Sequence, residues 1–96
     1  MDRLTRLVFS FYREEPALQL ELQPLLRCCM SRSWGTIRVE CVDATHLEEI
    51  SLLIDLLRPP LSLLRLGSYI SLRASGTIQK TYSINLPSNS DLFTNY

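Results

Sequence analysis

The sequence predicts a small α+β domain with the element order α-α-β-α-β-β, in which helices cover one face of a three-stranded sheet. Three patterns in the chain lead to this prediction. Residues 36–42 alternate apolar and polar side chains, as a half-buried strand does. Residues 45–58 repeat leucine and isoleucine at helical spacing. The strand-like segments 68–74 and 77–84 flank a Ser-Gly pair and predict a C-terminal antiparallel hairpin.

The composition indicates one domain. With 96 residues, 46% of them hydrophobic, we expect a single core over residues 1–84 and a mobile or strap-like tail over residues 85–96. The formal net charge is zero, so the chain lacks the basic surplus on which non-specific nucleic-acid binding usually rests. The 19 leucines are many for a fold of this size, and they indicate either a leucine-rich core or an oligomer or bound partner.

Cysteine usage and hydropathy indicate a cytoplasmic protein. Cys28, Cys29 and Cys41 are odd in number, and two of them are adjacent, which is a poor framework for disulfides. The first residues carry charges throughout and lack the apolar block of a signal peptide. No uncharged apolar run approaches the roughly 20 residues that a transmembrane helix needs. We therefore expect a reduced compartment and no transmembrane segment.

The first third of the chain predicts two helical regions. Residues 2–14 place an apolar stripe opposite several arginines, although their aromatic and branched residues also suit a strand. Residues 16–31 keep helical spacing after Pro16, but Pro24 falls inside them, so we expect a kinked or two-part helix. Gly35 marks the end of a connector before the strand at 36–42. The stripe of the first helix consists of Leu4, Leu7, Val8, Phe11 and Tyr12.

The helix at 45–58 has the clearest boundaries. Thr45 and Glu48 have the spacing of a capping box, in which each side chain binds a backbone N–H at the helix start. Pro59 and Pro60 are expected to end this helix, and Gly67 to end one or two further turns over residues 61–67. The stripe predicted to face the core consists of Leu47, Ile50, Leu53, Ile54 and Leu57.

The two strands of the hairpin predict their own register. A two-residue loop would pair apolar side chains with polar ones on the same face, whereas a three-residue loop over 75–77 places Ile70 opposite Tyr82. We therefore predict the longer loop. It leaves Lys80 opposite Leu72, a pairing for which the sequence offers no reason.

The leading functional hypothesis comes from the far side of the helix at 45–58. Leu52 and Leu56 are expected to project there beside Glu49, away from the core stripe. Either the N-terminal helices cover these leucines, or another molecule does. We expect a non-enzymatic protein–protein interaction module, either a small adaptor or regulatory protein or a homo-oligomer, that binds its partner through these residues. Leu92 and Phe93 in the tail are a second candidate contact.

Weak binding of nucleic acid or of an anionic surface is the alternative hypothesis. On the exposed face of the hairpin, Tyr69 beside Arg73 could stack bases, although one tyrosine and one arginine are a small basis. The residues that would contact an anion are Arg3, Arg6, Arg13, Arg73 and Lys80.

A thiol-dependent enzyme is the third hypothesis. It would pair one of the three cysteines with His46, the only histidine of the chain. A metal site would draw on the same side chains, but adjacent cysteines orient two thiolates poorly toward one ion. The chain contains no phosphate-binding loop, nucleophile elbow or metal-hydrolase signature. No catalytic residue, metal or cofactor is therefore predicted.

Overall fold

The computed structural model describes residues 2–74 and 79–85, and it confirms the α+β class. Within these residues, four α-helices and a short 3₁₀ helix accompany a four-stranded mixed sheet. The elements in chain order are α1 (Arg3–Phe11), α2 (Pro16–Glu21), the 3₁₀ helix (Gln23–Arg27), β1 (Cys29–Ser33), β2 (Thr36–Cys41), α3 (Ala44–Ser51), α4 (Ile54–Leu63), β3 (Tyr69–Ala74) and β4 (Gln79–Ser83).

The strands lie side by side in chain order, β1-β2-β3-β4. β1 and β2 form an antiparallel hairpin, and β3 and β4 form the predicted C-terminal one. β2 and β3 are parallel neighbours, so α3 and α4 make the crossover that a parallel pair requires. The three-stranded prediction omits β1, because Met30 is the only buried residue of that strand and one apolar position gives no alternation.

The predicted register of the C-terminal hairpin is confirmed where the structure describes it. Ile70 lies opposite Tyr82, and Leu72 lies opposite Lys80. The loop at 75–77 and the tail beyond residue 85, with Leu92 and Phe93, lie outside the described residues.

Lys80 gains a partner from the helical layer. Its ammonium group lies 2.7 Å from a carboxylate oxygen of Glu48 in α3. The hydrogen bond to Glu48 raises the pKa of Lys80. Because Lys80 lies opposite Leu72 on the face that carries the helices, its long side chain reaches α3 across the edge of the sheet. This contact supplies the reason that the sequence lacked.

The N-terminal segment is held to the sheet by Asp2. α1 is a helix, and Leu4, Val8 and Tyr12 of its predicted stripe are buried, while Leu7 is partly buried and Phe11 is exposed. The Asp2 carboxylate accepts the N–H of Thr5 at the helix start and the N–H of Met30 in β1, at 2.9 and 2.7 Å. Partial burial opposes ionisation of Asp2, but these N–H donors outweigh it and lower the pKa of the carboxyl.

Residues 16–31 form two helical parts, as the position of Pro24 predicts, and then leave the helix. α2 ends at Glu21, and the 3₁₀ helix carries Pro24 in its first turn, where a missing N–H costs least. The last residues of the predicted helix instead belong to β1.

The expected single helix at 45–58 is two helices with a bend at residues 52–53. The Ser51 hydroxyl donates to the Glu48 carbonyl, and the Leu53 N–H bonds back only three residues to Ile50. The bend keeps the predicted core stripe buried in both helices, so that stripe is confirmed. It also separates Leu52 from Leu56, which one straight helix would have placed together.

The helix start predicted at Thr45 is wrong. Asp43 is the residue before α3, and its carboxylate accepts the N–H of His46 at 2.8 Å. Because the helix already begins at Ala44, Thr45 lies inside the first turn, where it has no capping role.

Pro59 and Pro60 do not end the helix either, because α4 continues through them to Leu63. Pro60 has no N–H for the carbonyl of Leu56, four residues earlier. The Tyr12 hydroxyl, at the end of α1, donates to that carbonyl at 2.7 Å instead. A side chain 44 residues away therefore replaces the hydrogen bond that the proline removes.

Gly67 does not end the helix, contrary to the prediction. α4 is terminated by Arg65, which adopts a left-handed φ of 53°, while the N–H of Leu66 returns to the carbonyl of Leu61. Gly67 is needed for close approach, since a Cβ there would lie 2.7 Å from the carbonyl oxygen of Gly35.

The β1–β2 hairpin turns through Trp34 and Gly35, whose φ angles are 51° and 77°. Positive φ at both central residues is characteristic of the type I′ turn, for which Asn-Gly is the favoured sequence. For a tryptophan this conformation costs about 1–2 kcal/mol. Trp34 is 100% exposed, so packing against the described part of the chain does not offset that cost.

Tyr12→Phe is expected to lower the free energy of unfolding by about 1–3 kcal/mol, because the Leu56 carbonyl loses the donor that replaces the proline N–H. Urea unfolding followed by circular dichroism measures this change. Tyr69→Phe, at a ring that is half exposed, is the matched control and is expected to change stability by less than about 0.5 kcal/mol. Equal effects of the two substitutions would contradict the role of Tyr12.

Trp34→Asn is expected to raise the free energy of unfolding by up to about 1 kcal/mol, because asparagine tolerates the left-handed conformation better than tryptophan does. Trp34→Val removes the same exposed ring but places a β-branched residue at positive φ, and it is expected to destabilise. Thermal unfolding of both variants separates backbone strain from loss of the ring. Destabilisation by Asn would show that the ring itself stabilises the fold.

Candidate functional site

The one cluster of potential metal or thiol ligands among the described residues lies where the 3₁₀ helix, β2 and α3 meet. It consists of Cys28, Cys41 and His46, which are all buried and whose ligand atoms lie within 4.8 Å of one another. The Val42 N–H donates to His46 Nδ1 at 2.9 Å, and His46 Nε2 donates to the Pro24 carbonyl at 2.8 Å. Both ring nitrogens of the histidine are therefore bound to the main chain.

The chemistry of this cluster favours a structural role. Burial, together with the neighbouring thiol of Cys41, raises the pKa of Cys28 to about 12, and burial also raises the pKa of Cys41. Both thiols are thus protonated at neutral pH, whereas nucleophiles and metal ligands are thiolates. A metal bound to His46 Nε2 would replace the proton that Nε2 donates to the Pro24 carbonyl. Because Nδ1 accepts from the Val42 N–H, the ring would then carry no proton on either nitrogen. A metal ion bound here would therefore have to displace both thiol protons and the hydrogen bond from His46 to Pro24.

The residues of the leading hypothesis are placed in different environments. Leu52 is 84% exposed at the bend between α3 and α4. Glu49, one turn earlier, forms an ion pair of 2.9 Å with Arg27 of the 3₁₀ helix, and both side chains are about half exposed. Leu56 is partly buried and packs against the core, and its carbonyl accepts the hydrogen bond from Tyr12.

We group this ion pair with two exposed leucines, one in the 3₁₀ helix and one at the end of α3, and call the group the leucine surface. Leu26 and Glu49 line the same shallow depression, and Leu52 follows Glu49 at a spacing of three residues in the chain. The leucine surface is defined by Leu26, Arg27, Glu49 and Leu52. It combines two exposed leucines with one positive and one negative charge.

The predicted anion-binding residues do not form one site. Arg3 and Arg6 belong to α1 and Arg13 follows it, in the helical layer. Lys80 is paired with Glu48 on the helical side of the sheet. Arg73 lies on the opposite face of the sheet, 3.8 Å from Glu40.

That opposite face is uncovered by any described element. In β2 and β3 the residues Ile37, Val39, Ile70 and Leu72 are buried beneath the helices. Their neighbours point the other way and pair across the sheet in rows. The rows on this open face are Ser33-Thr36-Tyr69-Ser83, Ser31-Arg38-Ser71-Thr81 and Cys29-Glu40-Arg73-Gln79.

Trp34 lies at one end of this open face, next to Tyr69. The N–H groups of Ser68 and Tyr69 both point to the Gly35 carbonyl, at 2.7 and 3.3 Å, and so tie the hairpin turn to the start of β3. Trp34 and Tyr69 line the same shallow depression of about 530 Å³, together with Arg38 and Arg73.

Sequence reasoning identified Tyr69 and Arg73 but missed Trp34 and Arg38. Because residues 16–31 keep helical spacing, the sequence predicts no strand there, and Trp34 falls in the connector before the strand at 36–42. The signal that could have identified the turn is Trp-Gly between two short alternating segments, because glycine is common at the second position of a type I′ turn.

No protein-family model, curated protein or solved structure matches this chain. Separately, none of the helices in the described ranges combines the length and apolar character needed to cross a bilayer.

Thiol reactivity tests the structural role of the cluster. Cys29 is exposed, whereas Cys28 and Cys41 are buried, so a thiol reagent at pH 8 is expected to modify one cysteine quickly and two only after unfolding. Mass spectrometry of the alkylated protein identifies the sites. Fast modification of Cys28 in the folded protein would instead support the thiol-enzyme hypothesis.

Proposed function

We propose that this protein is a non-enzymatic protein–protein interaction module that self-associates through the leucine surface. The observation that carries the proposal is the 84% exposure of Leu52, a large aliphatic side chain at the bend between α3 and α4, three residues after Glu49 of the exposed ion pair. Exposed apolar groups rimmed by charges are typical of protein interfaces.

The charges beside Leu52 favour a second copy of the chain as the partner. Arg27 and Glu49 have opposite signs and both remain about half exposed in their mutual ion pair. In a twofold contact, Arg27 of one protomer can face Glu49 of the other, so the surface supplies its own complement. No other protein is needed to neutralise it.

The buried cluster supports the non-enzymatic part of the proposal. His46 is bound by the main chain at both nitrogens, and the two thiols beside it are protonated. A nucleophile–base pair needs an accessible thiolate or a base free to take its proton.

Leu52→Glu is expected to raise the dissociation constant of the dimer at least about tenfold, because it buries a charge at the centre of the interface. Sedimentation velocity over a range of protein concentrations measures the dimer fraction. Unfolding stability should change by less than about 0.5 kcal/mol, since the side chain is exposed in the monomer. Leu56 is left unchanged, because a charge there would disturb the core.

Leu63→Glu is the matched control, since Leu63 is a leucine of similar exposure, 71%, at the other end of α4. It is expected to leave the dimer intact. A wild-type protein that stays monomeric at every concentration, or a dimer that is equally weakened by both variants, would show that the leucine surface is not the interface.

A further inference from the structure

The open face of the sheet has a composition unlike that of the leucine surface. None of the described side chains that its rows place on this face is aliphatic. The face carries hydroxyl, amide and guanidinium groups, one thiol and one carboxylate, with the aromatic rings of Tyr69 and Trp34 at one end. A protein interface usually needs an apolar centre, so this face suits a polar ligand with flat aromatic groups.

The charges on the open face are positive in balance, although the chain as a whole is neutral. Arg38 and Arg73 lie on adjacent strands, one row apart, and Glu40 is the only acidic residue that the described rows place there. The ion pair of Arg73 with Glu40 is long, at 3.8 Å, and both side chains are about half exposed. Arg73 is therefore free to turn toward an anionic ligand.

Trp34 supplies the independent observation. The turn holds a large aromatic residue in a left-handed conformation that costs free energy, and the ring is fully exposed. Strained residues of this kind often mark binding sites. The indole makes no packing contact within the described residues that would offset this free-energy cost. We therefore expect that a ligand stacking on the indole offsets it.

We propose that the open face binds single-stranded nucleic acid. Bases stack on Trp34 and Tyr69, while Arg38 and Arg73 contact the phosphates of the following nucleotides. Along β3, Tyr69 and Arg73 point to the same face with Ser71 between them. A ring that stacks a base is therefore followed along the strand by a side chain that binds a phosphate. The Gln79 amide, which donates to the Ser71 hydroxyl at 3.1 Å, lies beside this path and offers polar contacts to base edges.

The experiment titrates the full-length protein, freed of co-purifying nucleic acid, with a fluorescein-labelled oligouridine of about 12 nucleotides. Fluorescence anisotropy reports binding, and the emission of Trp34 reports stacking, because it is the only tryptophan of the chain. We expect saturable quenching with the same midpoint as the anisotropy change. The affinity should fall with salt at a log–log slope of about −1.4, as two phosphate contacts on a single strand predict.

Four variants test the assignment. Trp34→Asn, which suits the turn, should weaken binding by roughly 5- to 150-fold, the effect of losing one stacking platform. Arg38→Ala should weaken binding and make the salt dependence shallower, with a slope of about −0.7. Glu40→Gln should strengthen binding, because it removes the one carboxylate from the described rows. Arg13→Ala, in the helical layer, is the matched control for Arg38→Ala and should change neither value.

Three results would overturn the proposal. The first is the absence of saturable Trp34 quenching by oligouridine and by a matched oligothymidine; binding of either one supports the proposal, and their ratio separates RNA from DNA. The second is an equal loss of affinity in Arg38→Ala and Arg13→Ala, which would indicate non-specific attraction. The third is a change of Trp34 emission with protein concentration alone, which would make the open face a contact between copies.

Discussion

Every described segment that crosses the sheet does so on the same side, and the two candidate surfaces both follow from this constraint. β1 with β2, and β3 with β4, are antiparallel neighbours, so neither pair requires a crossover. The crossover from β2 to β3 and the N-terminal helices pack together over one face. One face of the sheet is thus buried in the core, and the other presents polar and aromatic side chains.

The helical layer depends on polar contacts as much as on leucines. His46 joins the 3₁₀ helix to the end of β2 through two main-chain hydrogen bonds, in a site with 2% exposure. Tyr12 joins α1 to α4 at the carbonyl that Pro60 leaves without a donor. Asp2 joins the start of α1 to β1. Each of these contacts joins two elements that are distant in sequence.

Local patterns allowed much of the fold to be predicted from the sequence. The core stripe from Leu47 to Leu57 and the alternation in β2 are set by burial on one face, so spacing alone reveals them. The register of β3 and β4 follows from the same principle, because a slip by one residue would expose apolar side chains.

The remaining features depend on contacts distant in sequence. The sequence predicts that the helix ends at Pro60, because no local pattern indicates that the Tyr12 hydroxyl donates to the carbonyl that the proline leaves without a donor. β1 has one buried residue, and only its pairing with β2 makes it a strand. The sequence predicts Tyr69 and Arg73 on the open face. Arg38 and Trp34 are brought to that face by strand pairing and by the contact of Gly35 with β3.

The two surfaces would give this small domain two separate binding activities. The leucine surface lies in the helical layer, and the open face lies on the far side of the sheet, so occupation of one leaves the other accessible. Nucleic-acid binding requires that the open face is uncovered in the free protein.

The most direct test of that requirement is the fluorescence of Trp34 in the free, nucleic-acid-free protein. An uncovered face predicts an emission maximum equal to that of N-acetyltryptophanamide in the same buffer, with similar quenching by acrylamide, since the ring is 100% exposed. A blue-shifted emission that resists acrylamide at every protein concentration would contradict the account, because it would mean that Trp34 and the face beside it are already covered.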